Sequence, residues 1–255
     1  MPWNAQKYLA FGGERTRPAA DLLVRLPNTS PQTIVDLGCG PGNSTALLQA
    51  RFPEASLVGL DSSEDMLNKA RAANVRASFV LGDITSFEPE EPVDIMFANA
   101  SLHWVNNHER QFPKLLGFVA KGGSLAVQMP NNFREPTHAL LRQIASLPAF
   151  AEQLAGKLQP VNVLDACSYH RLLTPFGQVD LWETTYLHSL AGEDAVLDWV
   201  RGTTLLPVRK TLSASAYAEF EREYGAALKV AYPQEKNGRT LLPFRRIFLV
   251  VQKTT

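Results

Sequence analysis

Only two cysteines, Cys39 and Cys167, occur in 255 residues. They are too few and too far apart to suggest a disulfide framework, and no Cys/His spacing resembles a metal site. No uninterrupted apolar run approaches a membrane span, and the N-terminus lacks the charged-then-apolar pattern of a targeting segment. The expectation is a cytoplasmic protein with no membrane partner. Net charge is missing too: 25 basic residues balance 25 acidic ones, and no basic stripe stands out, which disfavours nucleic acid as a partner. Any attraction for an acidic ligand must be local. Internal repeats and low-complexity segments are also absent. What remains is a chain with 45% hydrophobic residues, enough for one α/β domain with an inserted cap.

The positive signal is the run Val35-Asp36-Leu37-Gly38-Cys39-Gly40-Pro41-Gly42, where an apolar strand ends in a turn stripped of side chains. Gly38 and Gly40 lack a Cβ, so they can take backbone conformations closed to other residues and let an adenosine-bearing ligand approach the main chain. A dinucleotide fingerprint would need glycine at 43, where this chain has Asn43; its third glycine falls at 42 and the pattern is G-x-G-x-G. Asp36, just before the first glycine, would repel a pyrophosphate and suit a cationic ligand. S-adenosylmethionine, with a sulfonium and an ammonium, is such a ligand.

Further acids follow at strand ends. Ser56-Leu57-Val58-Gly59-Leu60 runs into Asp61, where a carboxylate can accept both ribose hydroxyls, with Ser62 and Met66 just beyond it. Phe79-Val80-Leu81 runs into Gly82-Asp83-Ile84; Asp83 can bond an adenine amino group while Ile84 covers a ring face. A fourth strand, Val93 to Phe97, ends in Ala98-Asn99-Ala100-Ser101-Leu102-His103-Trp104, small and polar residues suited to a reaction site. Taken singly, each acid reads as readily as a helix cap or turn residue. Their order and spacing carry the signal.

These residues resemble the motifs of class I S-adenosylmethionine-dependent methyltransferases, over roughly residues 30 to 130. A closer resemblance spans nearly the whole chain. Trp3-Asn4 to Tyr8, Glu14-Arg15-Thr16-Arg17-Pro18, Gly40 to Thr45, Phe97 to Leu102, Gln128-Met129-Pro130-Asn131-Asn132 and Glu135-Pro136-Thr137-His138 are similar to the trans-aconitate 2-methyltransferase family. The resemblance implies a Rossmann-like α/β fold: a seven-stranded, mostly parallel sheet with an antiparallel last strand, plus a discontinuous helical cap. It also implies S-adenosylmethionine as cofactor, S-adenosylhomocysteine as product, and a small tricarboxylate as substrate, methylated at one carboxylate. Expected cofactor contacts are Tyr8, Asp36, Gly38, Gly40, Asp61, Ser62, Met66, Asp83, Ile84, Asn99 and Ala100.

Periodicity divides the chain. Strands are expected near 33 to 37, 56 to 60, 77 to 81, 93 to 97 and 124 to 129, alternating with helices near 44 to 51, 64 to 72 and 107 to 118, with Gly122-Gly123 turning the chain into the fifth strand. Helices follow near 136 to 147, 149 to 157, 193 to 201 and 213 to 231, with strands at 178 to 188 and 244 to 252. The expected division is a lid segment and first helix over 1–30, a cofactor-binding core over 31–130, a cap over the active site from 131–175 and 190–240, and the last two sheet strands in 176–189 and 241–255.

Substrate specificity is expected in the cap and lid. Tyr169, His170, Trp199 and Arg201 in the cap, His103 and Trp104 after the fourth strand, and Arg17 in the lid are the candidate acceptor contacts. Each has a plainer reading: Trp199 shares an apolar helical face with Val196, Leu197 and Val200 and can serve the core, and Arg201 can be a solvated surface charge. Residues before position 18, with Trp3, Tyr8, Phe11 and Arg15, can equally fold over the cofactor or pack against the cap. A carboxylate acceptor is ionised at neutral pH and needs no general base, so no catalytic acid or base and no metal is expected. Two other readings stay open: methylation of another carboxylic acid or a hydroxyl-bearing metabolite, for which His103 or His170 would have to act as base, and a non-catalytic cofactor-binding regulator.

Overall fold

The computed structural model describes residues 16–27, 30–73, 75–158 and 161–255. Tyr8 and the other proposed lid residues before Thr16 lie outside them. Helix α1 (Arg17–Val24) opens with Pro18 in its first turn and buries Leu22 and Leu23. Strand β1 (Thr33–Leu37) leads into α2 (Asn43–Arg51), β2 (Ser56–Asp61) into α3 (Glu64–Ala72), and β3 (Ser78–Leu81) passes without a helix to β4 (Val93–Asn99). Then come α4 (His108–Gly117) and β5 (Val119–Pro130).

Strand order is β3-β2-β1-β4-β5-β7-β6, with β6 at Gly177–Ala191 and β7 at Arg239–Lys253. Strands β1 to β5 are parallel where they pair, and the last strand runs antiparallel. Central strands β1 and β4 are buried along almost their whole length, as a parallel strand covered on both faces must be. Edge strand β6 alternates exposed and half-buried positions over most of its length. The order change between β1 and β4 puts the carboxyl ends of those strands, with their loops, at the switch point where α/β sheets bind ligands.

Helix starts follow local chemistry. Ser63 caps α3 by accepting the Met66 N–H, and Glu64 and Asp65 in the first turn suit the helix dipole. The Gly122-Gly123 pair does not turn the chain into the fifth strand. It lies inside β5, at a register shift between β4 and β5, and a Cβ on Gly123 would meet the Asp94 carbonyl at 2.6 Å. The pair is therefore the bulge of a longer strand.

The chain forms two compact units. The first holds residues up to Met129, Asn162–Thr184 and Ile247–Thr255; the second holds Pro130–Val161 and Thr185–Arg246. The second unit contains α5 (Pro136–Ala145), α6 (Ala151–Leu154), α8 (Ala195–Arg201), α9 (Leu206–Thr211) and α10 (Ala214–Ala231), while α7 (Ala166–Leu173) belongs to the first. Its core joins Leu141, Ile144, Phe150, Phe220, Tyr224 and Leu228, with the Tyr224 hydroxyl donating to the Thr137 carbonyl at 2.6 Å. Helices α7 and α9 are not anticipated by periodicity, being eight and six residues long. The helix expected at 149 to 157 shrinks to α6, because Ala155 leaves helical geometry and Gly156 takes φ 66°. No described helix is long and apolar enough to cross a membrane.

The sequence division puts 131–175 in the cap. In the structure, 162–175 join the first unit, and the reason is packing: Tyr169 on α7 is fully buried, with its ring 5.2 Å from that of Phe112 on α4.

Candidate functional site

Asp36 ends with no exposed surface. Its Oδ2 accepts the hydroxyls of Ser44 and Thr45, both at 2.7 Å, from the first turn of α2. Its Oδ1 is buried without a hydrogen-bond partner among the described residues. Burial pushes the carboxyl up to about 6, against the pull of the two hydroxyls.

The loop between is pinned by backbone. Gly38 and Cys39 both donate N–H to the Leu60 carbonyl, at 2.7 and 3.0 Å. Asp61 clamps the same loop: its Oδ2 accepts the Gly40 N–H at 2.8 Å and its Oδ1 accepts the Ser63 N–H at 2.9 Å. A carboxylate offers about four lone-pair sites, so both oxygens keep acceptor capacity.

The glycines divide their work. A Cβ on Gly38 would land 2.3 Å from that of Ser101, whereas one on Gly40 would meet nothing within 4 Å. The space beside Gly38 is therefore filled by protein rather than ligand, and Gly40 is the open position. Ser101 also donates its hydroxyl to the Leu37 carbonyl at 2.6 Å, tying the end of β4 to the loop. Cys39 fills a small buried turn position, and burial pushes its thiol up to about 12, so it is not a nucleophile at neutral pH.

At the end of β3, Asp83 Oδ1 accepts both the Thr85 N–H at 2.7 Å and the Thr85 hydroxyl at 2.6 Å, which hold its carboxyl below the usual range. Ile84 is half-buried beside it, and Ser62 and Met66 are exposed after β2. At the end of β4, Asn99 Oδ1 is a second buried acceptor without a partner among the described residues. Ala100 takes φ 54°, a left-handed conformation uncommon for a residue with a Cβ, and its N–H bonds the Gln128 carbonyl at 2.9 Å.

The next residues form a 3₁₀ turn, Leu102–Trp104. His103 is buried with its ring 4.8 Å from that of Trp104, which is 60% exposed. The turn is held from behind. The Leu102 carbonyl can only accept, so His108 Nε2 carries the proton at 2.9 Å, and His108 Nδ1 then accepts the Tyr169 hydroxyl at 2.5 Å. Burial keeps His108 below the ordinary imidazole range and thus neutral. The Tyr169 oxygen in turn accepts the Leu164 N–H at 3.3 Å. Tyr169, expected on the acceptor, is instead fully buried and committed to this chain of bonds.

The other expected acceptor contacts are dispersed. Arg17, exposed at the start of α1, lies 3.9 Å from Asp21. His170 is exposed on α7 with Nδ1 3.3 Å from the Thr174 hydroxyl. In the second unit, Arg201 is held by Asp198 and by Glu221, with Nε 3.0 Å from Glu221 Oε1; this pairing takes up the charge that a substrate clamp would need. Trp199 is half-buried, its ring 4.7 Å from His188 and 6.4 Å from Phe244.

Residues that the sequence reading did not single out complete the picture. Ser44 and Thr45 face Asp36, and the signal for them is their place just after the glycines, on a helix start. Arg246 on β7 has 9% of its surface exposed, with its guanidinium 4.7 Å over the Phe244 ring, and nothing in the run Phe244-Arg245-Arg246-Ile247 marks it. Among the described residues no group of His, Cys, Asp and Glu could hold a metal ion.

Comparison with known proteins converges on one family. Residues 34–123 match the family described as Methyltransferase domain. The chain is 50% identical over 254 residues to a protein of Methylobacterium nodulans called trans-aconitate 2-methyltransferase, covering 99% of this chain and 98% of the relative. It is 43% identical over 252 residues to one of the same name from Azoarcus, covering 98% and 99%, and 42% identical over 253 residues to one from Escherichia coli O157:H7, covering 99% and 98%. Among solved structures it resembles the YcgJ protein from Bacillus subtilis, with TM-score 0.61 at 12% identity over 93% of this chain and 98% of that one. It also resembles the plantazolicin methyltransferase BpumL in complex with a triazolic desmethylPZN analog and SAH, with TM-score 0.53 at 17% identity over 98% and 89%. Both likenesses bear on the fold.

Proposed function

Because the chain belongs to the family of the trans-aconitate 2-methyltransferases, we propose that it methylates one carboxylate of trans-aconitate, or of a closely similar small tricarboxylate, to a monomethyl ester. The donor in this reading is S-adenosylmethionine. One observation carries the donor assignment: Asp36 Oδ1 and Asn99 Oδ1 are buried acceptors without partners among the described residues, at the carboxyl ends of neighbouring strands. An unsatisfied buried acceptor is expensive unless a ligand donor meets it, and a cation is what this pair suits. The open Gly40 lets such a ligand reach the backbone.

In this reading Asp61 uses its remaining lone pairs on the ribose hydroxyls, Asp83 Oδ2 takes the adenine amino group, and Ile84 and Met66 cover the ring. Ser62 and Ala100 would line the same ligand. His103 and Trp104 stand at the strand end where the acceptor would sit, with Arg17 and His170 further candidates.

When bound, S-adenosylmethionine supplies an electrophilic methyl: a C–O bond forms as the S–CH₃ bond breaks, and the electron pair stays on sulfur. The chain's own contribution is alignment and exclusion of water. A carboxylate acceptor is ionised at neutral pH, so no residue need remove a proton. His108 and Cys39 fit that reading, one occupied by Leu102 and Tyr169 and the other held as a thiol.

The deciding experiment is incubation with labelled S-adenosylmethionine and a panel of di- and tricarboxylates, phenols and amines. A methyl ester of trans-aconitate by mass spectrometry is the expected product. Transfer to a phenol or amine, with none to any acid, would overturn the acceptor class. Tight binding of S-adenosylhomocysteine without turnover on any compound would favour a regulator.

A further inference from the structure

We infer that His108 and Tyr169 are positioning residues: together they fix the turn Leu102–Trp104, and through it the alignment of the acceptor for methyl transfer. The inference rests on the reading above that the acceptor sits at this turn, and it gives a role in the reaction to two side chains that touch neither ligand.

The turn is anchored from two sides. On the donor side Ser101 donates its hydroxyl to the Leu37 carbonyl at 2.6 Å, and Ala100 its N–H to the Gln128 carbonyl at 2.9 Å. Beyond them a different set takes over. The Leu102 carbonyl accepts from His108 Nε2 at 2.9 Å, and the His103 carbonyl accepts from Asn162 Nδ2 at 3.4 Å. Tyr169 joins these two holds: its hydroxyl donates to His108 Nδ1 at 2.5 Å and accepts the Leu164 N–H at 3.3 Å. Consecutive carbonyls of the turn are thus gripped by the start of α4 and by the segment that leads into α7. All of these residues belong to the first unit.

The Tyr169 hydroxyl also selects the tautomer. A neutral imidazole can carry its proton on either nitrogen, and a donor held on Nδ1 puts that proton on Nε2, where the Leu102 carbonyl needs it. Without the hydroxyl the other tautomer becomes accessible, and it would set a bare Nε2 lone pair against the carbonyl oxygen. The rings of Phe112 at 5.2 Å and Tyr169 at 5.9 Å pack near the imidazole, which is buried, so water does not readily replace a lost bond.

What the turn carries is the reason for such a hold. Trp104 presents a large exposed ring beside His103, just past the end of the strand that supplies Asn99. An enzyme that works by alignment loses rate when a contact shifts by about 1 Å, by up to about 100-fold. A loss confined to the transition state lowers kcat and leaves KM in place.

The test compares wild type with His108→Asn, His108→Gln and Tyr169→Phe. Gln sets an amide nitrogen near the position of Nε2 and can still donate to Leu102, whereas Asn is too short. Both remove a buried imidazole and should lose stability alike. The kcat for trans-aconitate should fall about 10- to 100-fold in His108→Asn and stay within about threefold of wild type in His108→Gln, with Tyr169→Phe between them. KM and the calorimetric affinity for S-adenosylhomocysteine should stay within about twofold in all three, because Ser101 and Ala100 hold the donor side. Equal kcat in the Asn and Gln variants overturns the inference, as does a loss of S-adenosylhomocysteine affinity that matches the loss of kcat, the mark of a merely structural role. Should a His108 variant fail to fold, Tyr169→Phe decides, and a kcat within about twofold of wild type overturns the inference. If wild type methylates no acid at all, the reading beneath the inference has failed, and fluorine NMR of fluorotryptophan-labelled protein judges the turn by itself. The Trp104 signal, assigned with Trp104→Phe, should shift or broaden in Tyr169→Phe while that of Trp182 stays; an unmoved Trp104 signal overturns the inference.

Discussion

The two units hold their polar groups by different means. In the first, the charged groups of the candidate site are fixed by near neighbours in sequence or by backbone: Asp36 by Ser44 and Thr45, Asp61 by the N–H groups of Gly40 and Ser63, Asp83 by Thr85. In the second, Arg246 lies over the Phe244 ring of β7, which itself meets the rings of His188 on β6 and Trp199 on α8. A strand, a turn and a helix start bring the first set together whatever the rest of the chain does. The second set exists only when distant elements pack. The first unit therefore fixes its charged groups by local contacts, and the second by tertiary ones. Substitutions should separate the two.

The largest effect is expected where backbone and packing coincide. Gly38→Ala would force a Cβ to 2.3 Å from that of Ser101 at φ 72°. Strain of about 1–2 kcal/mol for the left-handed backbone and about 1–3 kcal/mol for overpacking should lower stability by roughly 3 kcal/mol in urea unfolding. Gly40→Ala, at φ 55° with nothing within 4 Å, should lose only about 1 kcal/mol of stability and yet weaken S-adenosylhomocysteine binding. Equal stability losses in both variants would erase the division between a packing glycine and a ligand glycine.

Next in size is the pH response of Asp36. Its folded value of about 6 stands above the ordinary carboxyl value of 3.8, so the folded state binds more protons than the unfolded chain between those values. Stability from this group is full below about pH 4 and is lost as pH rises to about 6, on the order of 3 kcal/mol. Affinity for the cationic donor should move the opposite way and strengthen over the same window as Asp36 ionises. Calorimetry with S-adenosylmethionine from pH 5 to 7 checks this. Asp36→Asn should flatten the profile; an unchanged slope would assign the titration to another group.

Tyr169→Phe should cost about 1–2 kcal/mol of stability, since the Leu164 N–H and His108 Nδ1 both lose a partner in a buried site. KM for the acceptor should not move, because the hydroxyl faces protein. A raised KM with unchanged stability would return Tyr169 to the acceptor.

What could be read from the chain follows the same division. The β1 turn, Asp61 and Asp83 were legible because strand-end spacing survives in sequence, and every strand through β5 fell near its expected place. Tyr169 and Arg201 were chosen for their chemistry alone. The structure gives Tyr169 to His108 and Arg201 to Glu221, partners 61 and 20 residues away that no local pattern announces. The burial of Arg246 is hidden in the sequence for the same reason, since a buried arginine and an exposed one have the same letter and here the same flanking strand pattern. Helices α7 and α9 escaped because six to eight residues give too few turns for an apolar period to emerge.

The smallest expected effect is also the sharpest test of that last distinction. Arg201 has 42% of its side chain exposed and lies against Asp198 and Glu221, an arrangement worth about 0.2–1 kcal/mol when measured in exposed pairs. Its charge is balanced by two carboxylates, so a third on a ligand would find it largely neutralised. Arg201→Ala should therefore lower stability by less than about 1 kcal/mol and leave the KM for trans-aconitate within about twofold. Raising salt should shrink even the stability difference, because exposed pairs are screened. If instead Arg201→Ala raises KM tenfold, the clamp is the exposed arginine. The Glu221 pairing would then be a resting arrangement that the acceptor displaces.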